Sequence, residues 1–305
     1  MKKVIAIILT LVLALSCMAG CAPKPLVKTG TFACAELAEV PASEYVICVS
    51  KAIPDGQQIL TAINNAIEVS KKTEAKLTER QADGTTKETT VNLMQAYKEG
   101  KVPTYGRALE LFEINNVLRE NENDDPLMVF AQVYYPFNFG GPFGAYTDGI
   151  DAVICSEAAV ALNRSIIFTE RVLTYSYEQV KSGKGDVLIS AIAKTDELAN
   201  DFLLSNVYET GKQYIVADEG FNFTKIKDLN REGLRIGVIA GRVGEEVINE
   251  AVAKGTLKGV NVVVFDTDKE AKVAIINENV DCVVLDELPA KQMADELLTD
   301  LGKYV

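Results

Sequence analysis

Asp286 closes the stretch Ala274 to Asp286, AIINENVDCVVLD, in which a helix end and a polar turn lead into a short β-branched run. The run is apolar on both faces, as a buried parallel strand is. A carboxylate at such a strand end suits an ammonium, unless it is simply an exposed strand-end acid. The same shape occurs in Gln179 to Ser190, QVKSGKGDVLIS, where Asp186 takes the place of Asp281. Two such units imply two α/β halves facing each other. Arg242 follows Gly241 at the start of a helix opened by Glu245 and Glu246. A cation there opposes the helix dipole by a few tenths of a kcal/mol to ~1, so an anionic group should offset it. Either Glu245 and Glu246 do so, or Arg242 turns its bidentate fork to a bound carboxylate or phosphate. Tyr134 and Tyr135 follow a strand end, so at least one should face a cleft, unless both simply pack.

What is missing narrows the chemistry further. The chain has no histidine, which removes His-ligated zinc, Ser-His-Asp triads and Cys-His dyads. Acid–base work would rest on Asp286, Glu197 or Tyr134, and no carboxylate pair has a telling spacing. Of six cysteines, Cys17 lies in the leader and Cys21 at its end, while Cys34, Cys48, Cys155 and Cys282 show no CxxC pattern. Cys48, Cys155 and Cys282 sit in apolar runs and read as buried thiols; a Cys34–Cys48 bridge stays open. No metal or cofactor is implied. A formal charge of -12 without a basic stripe argues against nucleic acid.

The elements that position these residues follow a regular pattern. Met1 to Gly20 is a leader with Lys2-Lys3 and an apolar run from Val4 to Leu15, too short to span a ~30 Å bilayer core as a stable helix. Met18-Ala19-Gly20-Cys21 looks like a bacterial lipobox, so Cys21 is expected to carry lipid, with residues 21–31 as a tether. Tyr45 to Ser50 reads as a strand and Gln57 to Lys71 as a helix, with Ile59, Ile63 and Ile67 spaced by four. Lys72 to Lys87 reads as exposed polar chain, Val91 to Glu99 and Ala108 to Arg119 as helices, and Glu120 to Asp125 as a linker. Strands are then expected at Leu127 to Val133, Asp186 to Ala191, Tyr214 to Ala217 and Leu234 to Ile239, with a helix over Asp151 to Leu162. Alternating strands and helices place ligands at the carboxyl ends of parallel strands.

From Leu127 to Asp286 the order of punctuating residues resembles the polar-amino-acid type of solute-binding protein of ABC importers. Carriers of the resemblance are Val133-Tyr134-Tyr135-Pro136-Phe137, Gly149-Ile150-Asp151, Lys181 to Asp186, Ser205 to Gly211, Gly237 to Gly241, and Asn279 to Asp286. Glu44 to Lys51, Leu60 to Ile67 and Asp83-Gly84-Thr85 resemble segments that close that family's sequences. The family motifs at the front of the chain imply a circular permutation, with natural ends joined through about Thr86 to Pro126; the alternative is that residues 30 to 125 form an unrelated helical domain beside a truncated binding domain.

The resemblance implies a two-lobe hinged (Venus-flytrap) periplasmic binding protein type 2 fold, α/β in class. It assigns 32–212 and 287–305 to the first lobe and 213–286 to the second. It implies a monomeric binder, not an enzyme, that closes on a small polar solute and delivers it to an ABC permease, held at the membrane by its N-terminal lipid. Asp286 falls on the ammonium-binding position, and Tyr134, Tyr135, Ser190 and Ala191 on the first lobe's edge of the cleft. Arg242 and Val243 fall on the helix start that meets the ligand carboxylate. Leu198 stands where the family places a carboxylate-binding arginine, and Ala193 where it has a polar group, so the usual grip on an α-amino acid is incomplete. A surface receptor with a decayed cleft, or an enzyme of the cyclohexadienyl dehydratase kind, are the competing readings.

Overall fold

A computed structural model describes residues 30–81, 83–101, 107–121, 124–140 and 147–301. The leader and Cys21 lie outside the described residues. In chain order the elements are β1 (Phe32–Glu36), β2 (Ser43–Ser50), α1 (Gly56–Ser70), β3 (Glu74–Arg80), β4 (Thr86–Asn92), α2 (Leu93–Lys98), α3 (Arg107–Arg119) and β5 (Leu127–Ala131). Next come β6 (Phe139–Gly140), β7 (Thr147–Asp148), α4 (Ile150–Ala161), β8 (Ile166–Glu170), α5 (Leu173–Lys181), β9 (Val187–Ala193), α6 (Asp196–Asp201), β10 (Phe202–Leu204) and β11 (Glu209–Gly211). The last are β12 (Gln213–Asp218), β13 (Arg235–Ile239), α7 (Val243–Ala253), β14 (Asn261–Phe265), α8 (Asp268–Ile276), β15 (Cys282–Asp286) and α9 (Glu287–Leu301).

Two sheets organise these elements. The first runs β10-β2-β9-β5-β8, with β11 also on β2; the second runs β1-β12-β15-β13-β14. β9 and β15, the two strands that follow the echoed helix–turn units, each lie inside one of them. Both are parallel to one neighbour, β5 and β13, and antiparallel to the other, β2 and β12. Because each strand is apolar on both faces, each sheet needs cover on both sides. Ile47, Val129 and Ile189 pack with α1 and α4 on one face of the first sheet, while Val46, Leu188 and Phe130 pack with Leu173 and Phe202 on the other. The second sheet is covered likewise, by Ile248 and Leu229 on one face and by Ala271, Met293 and Leu297 on the other. The chain passes between sheets after β1 and again between β11 and β12, where a single residue, Lys212, separates the strands.

Several expectations need correction. Phe32–Glu36 pairs along its whole length with β12, and α9 packs on β1, β12 and β15, so both belong to the second lobe rather than the first. Lys72 to Lys87 is largely exposed, as expected, but it is not without structure: most of it belongs to the β3–β4 hairpin, whose Ala75 and Leu77 are buried. The supposed joining segment also has a structural job. In α3, Asn115 accepts from the Ile166 amide at 2.7 Å and Arg119 donates to its carbonyl at 2.8 Å, which covers edge strand β8. Cys34 and Cys48 are free thiols on different sheets.

Candidate functional site

The two sheets meet along the carboxyl ends of β5, β9, β13 and β15. Asp286, the last residue of β15, is 3% exposed and accepts three hydrogen bonds. Tyr134 Oη donates to Oδ2 at 2.5 Å, Tyr45 Oη to Oδ1 at 2.8 Å and Gln213 Nε2 to Oδ1 at 2.6 Å. The tyrosines belong to the first lobe and the glutamine to the second, so one carboxylate ties the lobes together. Burial pushes both phenols well above their usual 10, and the neighbouring Asp286 charge adds to it. They remain neutral donors.

Arg242 reaches the opposite way, from the second lobe into the first. It is the N-cap residue of α7, 7% exposed, and its guanidinium carbon lies 3.8 Å from the centroid of the Tyr134 ring. Nη1 donates to the carbonyls of Ser190 and, at 3.4 Å, Ala191, and Nη2 to Gln132 Oε1 at 3.4 Å. Gln132 in turn donates to the Asp266 carbonyl at 2.6 Å, crossing back to the second lobe. Neither helix acid answers the Arg242 charge: Glu245 accepts from the Gly241 amide at 2.8 Å, and Glu246 is exposed.

The carbonyls that receive Arg242 are aimed by an unusual backbone. Ser190 and Ala191 have φ of 120° and 49°, conformations that cost L-residues of order 1–3 kcal/mol each and persist only when their surroundings hold them. Asp151 does the holding. From the first turn of α4 its Oδ2 accepts from the Ser190 amide at 2.8 Å and the Ala191 amide at 3.1 Å. The Ser190 hydroxyl locks the same corner, accepting from the Gln132 amide at 2.9 Å and donating to its carbonyl at 2.8 Å. Burial pushes the Asp151 carboxyl up to about 6, the two amides and the Arg242 charge pulling the other way. Asp268 is likewise raised by burial and held back by Arg242.

Beside this junction lies a cavity of about 610 Å³ bounded by both lobes. Its first-lobe wall is mostly apolar, with Leu173, Tyr177, Leu188, Ala191, Ile192, Ala193 and Leu198 beside Thr174, Glu178 and Thr195; Gly241, Arg242, Val243, Glu245, Glu246, Asn249 and Asp286 form the other. Of the residues singled out from sequence, Arg242, Val243, Ala191 and Asp286 therefore line one space, and Tyr134 lies directly behind Arg242 and Asp286. Ser190 contributes its carbonyl to the junction. Tyr135 stands apart, packed on Phe139 with centroids 5.0 Å apart and lining a separate groove. Gln132, Gln213, Tyr45 and Asp151 complete the junction without having been singled out for it. Tyr45 begins a strand motif and Asp151 a helix motif, but nothing local marks either glutamine.

Residues 127–295 match the bacterial extracellular solute-binding proteins, family 3. Over 165 residues the chain is 27% identical to a probable histidine-binding protein of Campylobacter jejuni, covering 53% of this chain and 59% of that one. Over 182 residues it is 26% identical to an L-arginine-binding protein of Pseudomonas aeruginosa, covering 59% of this chain and 67% of that one. Among solved structures it is similar to an ancestral arginine-binding protein bound to arginine, with a TM-score of 0.51 and 27% identity over 56% of this chain and 74% of that chain.

Proposed function

Because the chain belongs to the bacterial extracellular solute-binding proteins of family 3, we propose that it captures a small polar solute between its lobes and delivers it to an ABC importer. The solute is an amino acid or a related amine or carboxylate. The observation that carries this reading is the cavity of about 610 Å³, walled by both lobes, with Arg242 and Asp286 at its edge. A pocket of that size suits a small ligand, and polar groups converging from two lobes let the ligand stabilise the closed arrangement. The protein acts as a binder rather than a catalyst, tethered through lipid on Cys21. Calorimetry on the detergent-solubilised full chain, over amino acids, dipeptides, polyamines and organic acids, tests it. Saturable binding to one class is expected, and no heat or thermal shift from any of them with folded protein would reject it. Detergent partitioning of the wild type against Cys21→Ala tests the anchor.

A circular permutation belongs to the same reading. It is supported by β2, which resembles the family's closing segment, precedes the matched residues in sequence, and yet sits between β9 and β10 inside the first sheet. A chain relinked to begin near Leu127, with the present termini joined, should fold with the same thermal transition and the same ligand preference. Failure to fold would count against it. The second reading, a surface receptor without a transported ligand, draws on the junction itself: Asp286 and the Arg242 Nη groups already have protein partners.

A further inference from the structure

The side chain of Arg242 is set in surroundings that fit a free guanidinium. An aromatic face lies 3.8 Å from its carbon, and three oxygens, Ser190 O, Ala191 O and Gln132 Oε1, face its Nη atoms. All four partners come from the first lobe, and the guanidinium comes from the second. A desolvated cation is attracted to an aromatic face by the ring quadrupole, and carbonyls accept from it without a countercharge. Among the described residues no ion pair holds Arg242. Its charge is answered by ring face and carbonyl dipoles, with the Asp151 carboxylate behind the same two peptides, on their amide side. A guanidinium delivered by an unlinked molecule would meet the same groups.

We propose that Arg242 is a built-in occupant of a guanidinium-binding site on the first lobe, formed by Tyr134, Ser190, Ala191 and Gln132, and that it clasps the lobes shut while excluding guanidinium ligands. Two consequences follow for the cleft. The wild type closes without ligand, because the group that bridges the lobes is its own. Solutes that enter the cavity do so beside Arg242, against the apolar wall of Leu173, Leu188, Ile192 and Leu198, so guanidinium compounds are rejected and others admitted. The inference rests on the inter-lobe cleft being the binding site, but not on any particular transported solute.

The test uses the full chain in detergent, with ethylguanidinium as probe and its neutral isostere N-ethylurea as control, at matched ionic strength. Arg242→Ala should bind ethylguanidinium about 30-fold more tightly than N-ethylurea, the equivalent of ~2 kcal/mol of cation–π attraction, while the wild type shows no preference. Equal binding of the two probes by the variant, no binding of either, or ethylguanidinium binding by the wild type as tight as by the variant would overturn the proposal. Arg242→Gln, which keeps most of the volume, replaces the alanine variant should that fail to fold. Independently of any substitution at 242, spin labels at Val117→Cys and Val252→Cys, on exposed faces of α3 and α7, report the inter-lobe distance in a Cys34→Ser background. A single short distance without ligand is expected, and a broad open distribution would overturn the clasp. If that distance is open while the wild type still binds a solute, the clasp alone fails and the solute-binding reading stands.

Discussion

Replacing Tyr134 with Phe tests whether Asp286 fastens the two lobes. The substitution removes one hydroxyl and leaves the ring under Arg242. The lost bond is 2.5 Å long, made to a carboxylate that is 3% exposed by a tyrosine that is fully buried. Hydrogen bonds to charged groups contribute about 1.5–3 kcal/mol, and this one joins buried residues on different lobes. The expected cost is about 2 kcal/mol. Tyr45→Phe, whose bond is 2.8 Å, should cost a similar amount, and the two losses should not add, because both hydroxyls serve one carboxylate. With an m-value of roughly 3 kcal/mol/M, 2 kcal/mol moves the urea midpoint by about 0.7 M. Equilibrium unfolding followed by circular dichroism measures the shift, and a double-mutant cycle with Asp286→Asn isolates the pair. Because the bond crosses the lobes, its loss should also reduce cooperativity, broadening the unfolding transition relative to that of the wild type. A Tyr134→Phe cost under about 0.5 kcal/mol, the range of an ordinary surface change, would refute the fastening role of Asp286.

Further outcomes follow from other parts of the fold. Asp151 is raised from 3.8 to about 6 by burial, so between those values the folded protein holds a proton that the unfolded chain has lost, and stability falls as pH rises through that window. Relative to Asp151→Asn, the wild type should lose ~2 kcal/mol from pH 4 to pH 7, measured by paired urea titrations; a flat difference would reject the assignment. Gly149→Ala should be severely destabilising, because φ there is 113° and an added Cβ would stand 2.5 Å from the Phe137 carbonyl oxygen; a thermal midpoint within a degree or two of the wild type would contradict this. Arg164 joins Asp55 at 2.7 Å and Asp186 at 3.3 Å while donating to the Asp125 and Pro126 carbonyls. With its side chain 13% exposed, Arg164→Ala should cost about 1–3 kcal/mol, with Arg164→Lys recovering only part, and denaturant midpoints decide both.

The parts of this molecule that were legible in its sequence are those set by local pattern. The isoleucines at 59, 63 and 67, spaced by four, mark the buried face of α1, and all three are fully buried. The β-branched runs before Ser190 and Asp286 marked interior strands, since only a strand covered on both faces tolerates them. Lobe membership was less legible. The chain alternates strands and helices in both lobes, and only pairing revealed that β1 joins β12. The hairpin was hidden because β3 and β4 are polar on their exposed faces and bury little beyond Ala75 and Leu77.

Arg242 shows where sequence reasoning reaches its limit in physical terms. A cation at a helix start is visible as a misfit with the dipole, and the acids close enough in sequence to offset it are Glu245 and Glu246. Its actual partners lie 51, 52 and 110 positions away in the chain. They exist as acceptors because Ser190 and Ala191 take positive φ in what the pattern reads as plain strand. That conformation is held by Asp151, whose own motif gave no hint of the residues it would grip. The cleft is thus built from three individually unfavourable choices: a buried acid, a strained strand corner and a cation on a helix N-terminus. Asp151 and the strand corner offset each other within the first lobe, and the cation is answered only after the lobes come together, so removing Asp151 should expose the cost of the other two.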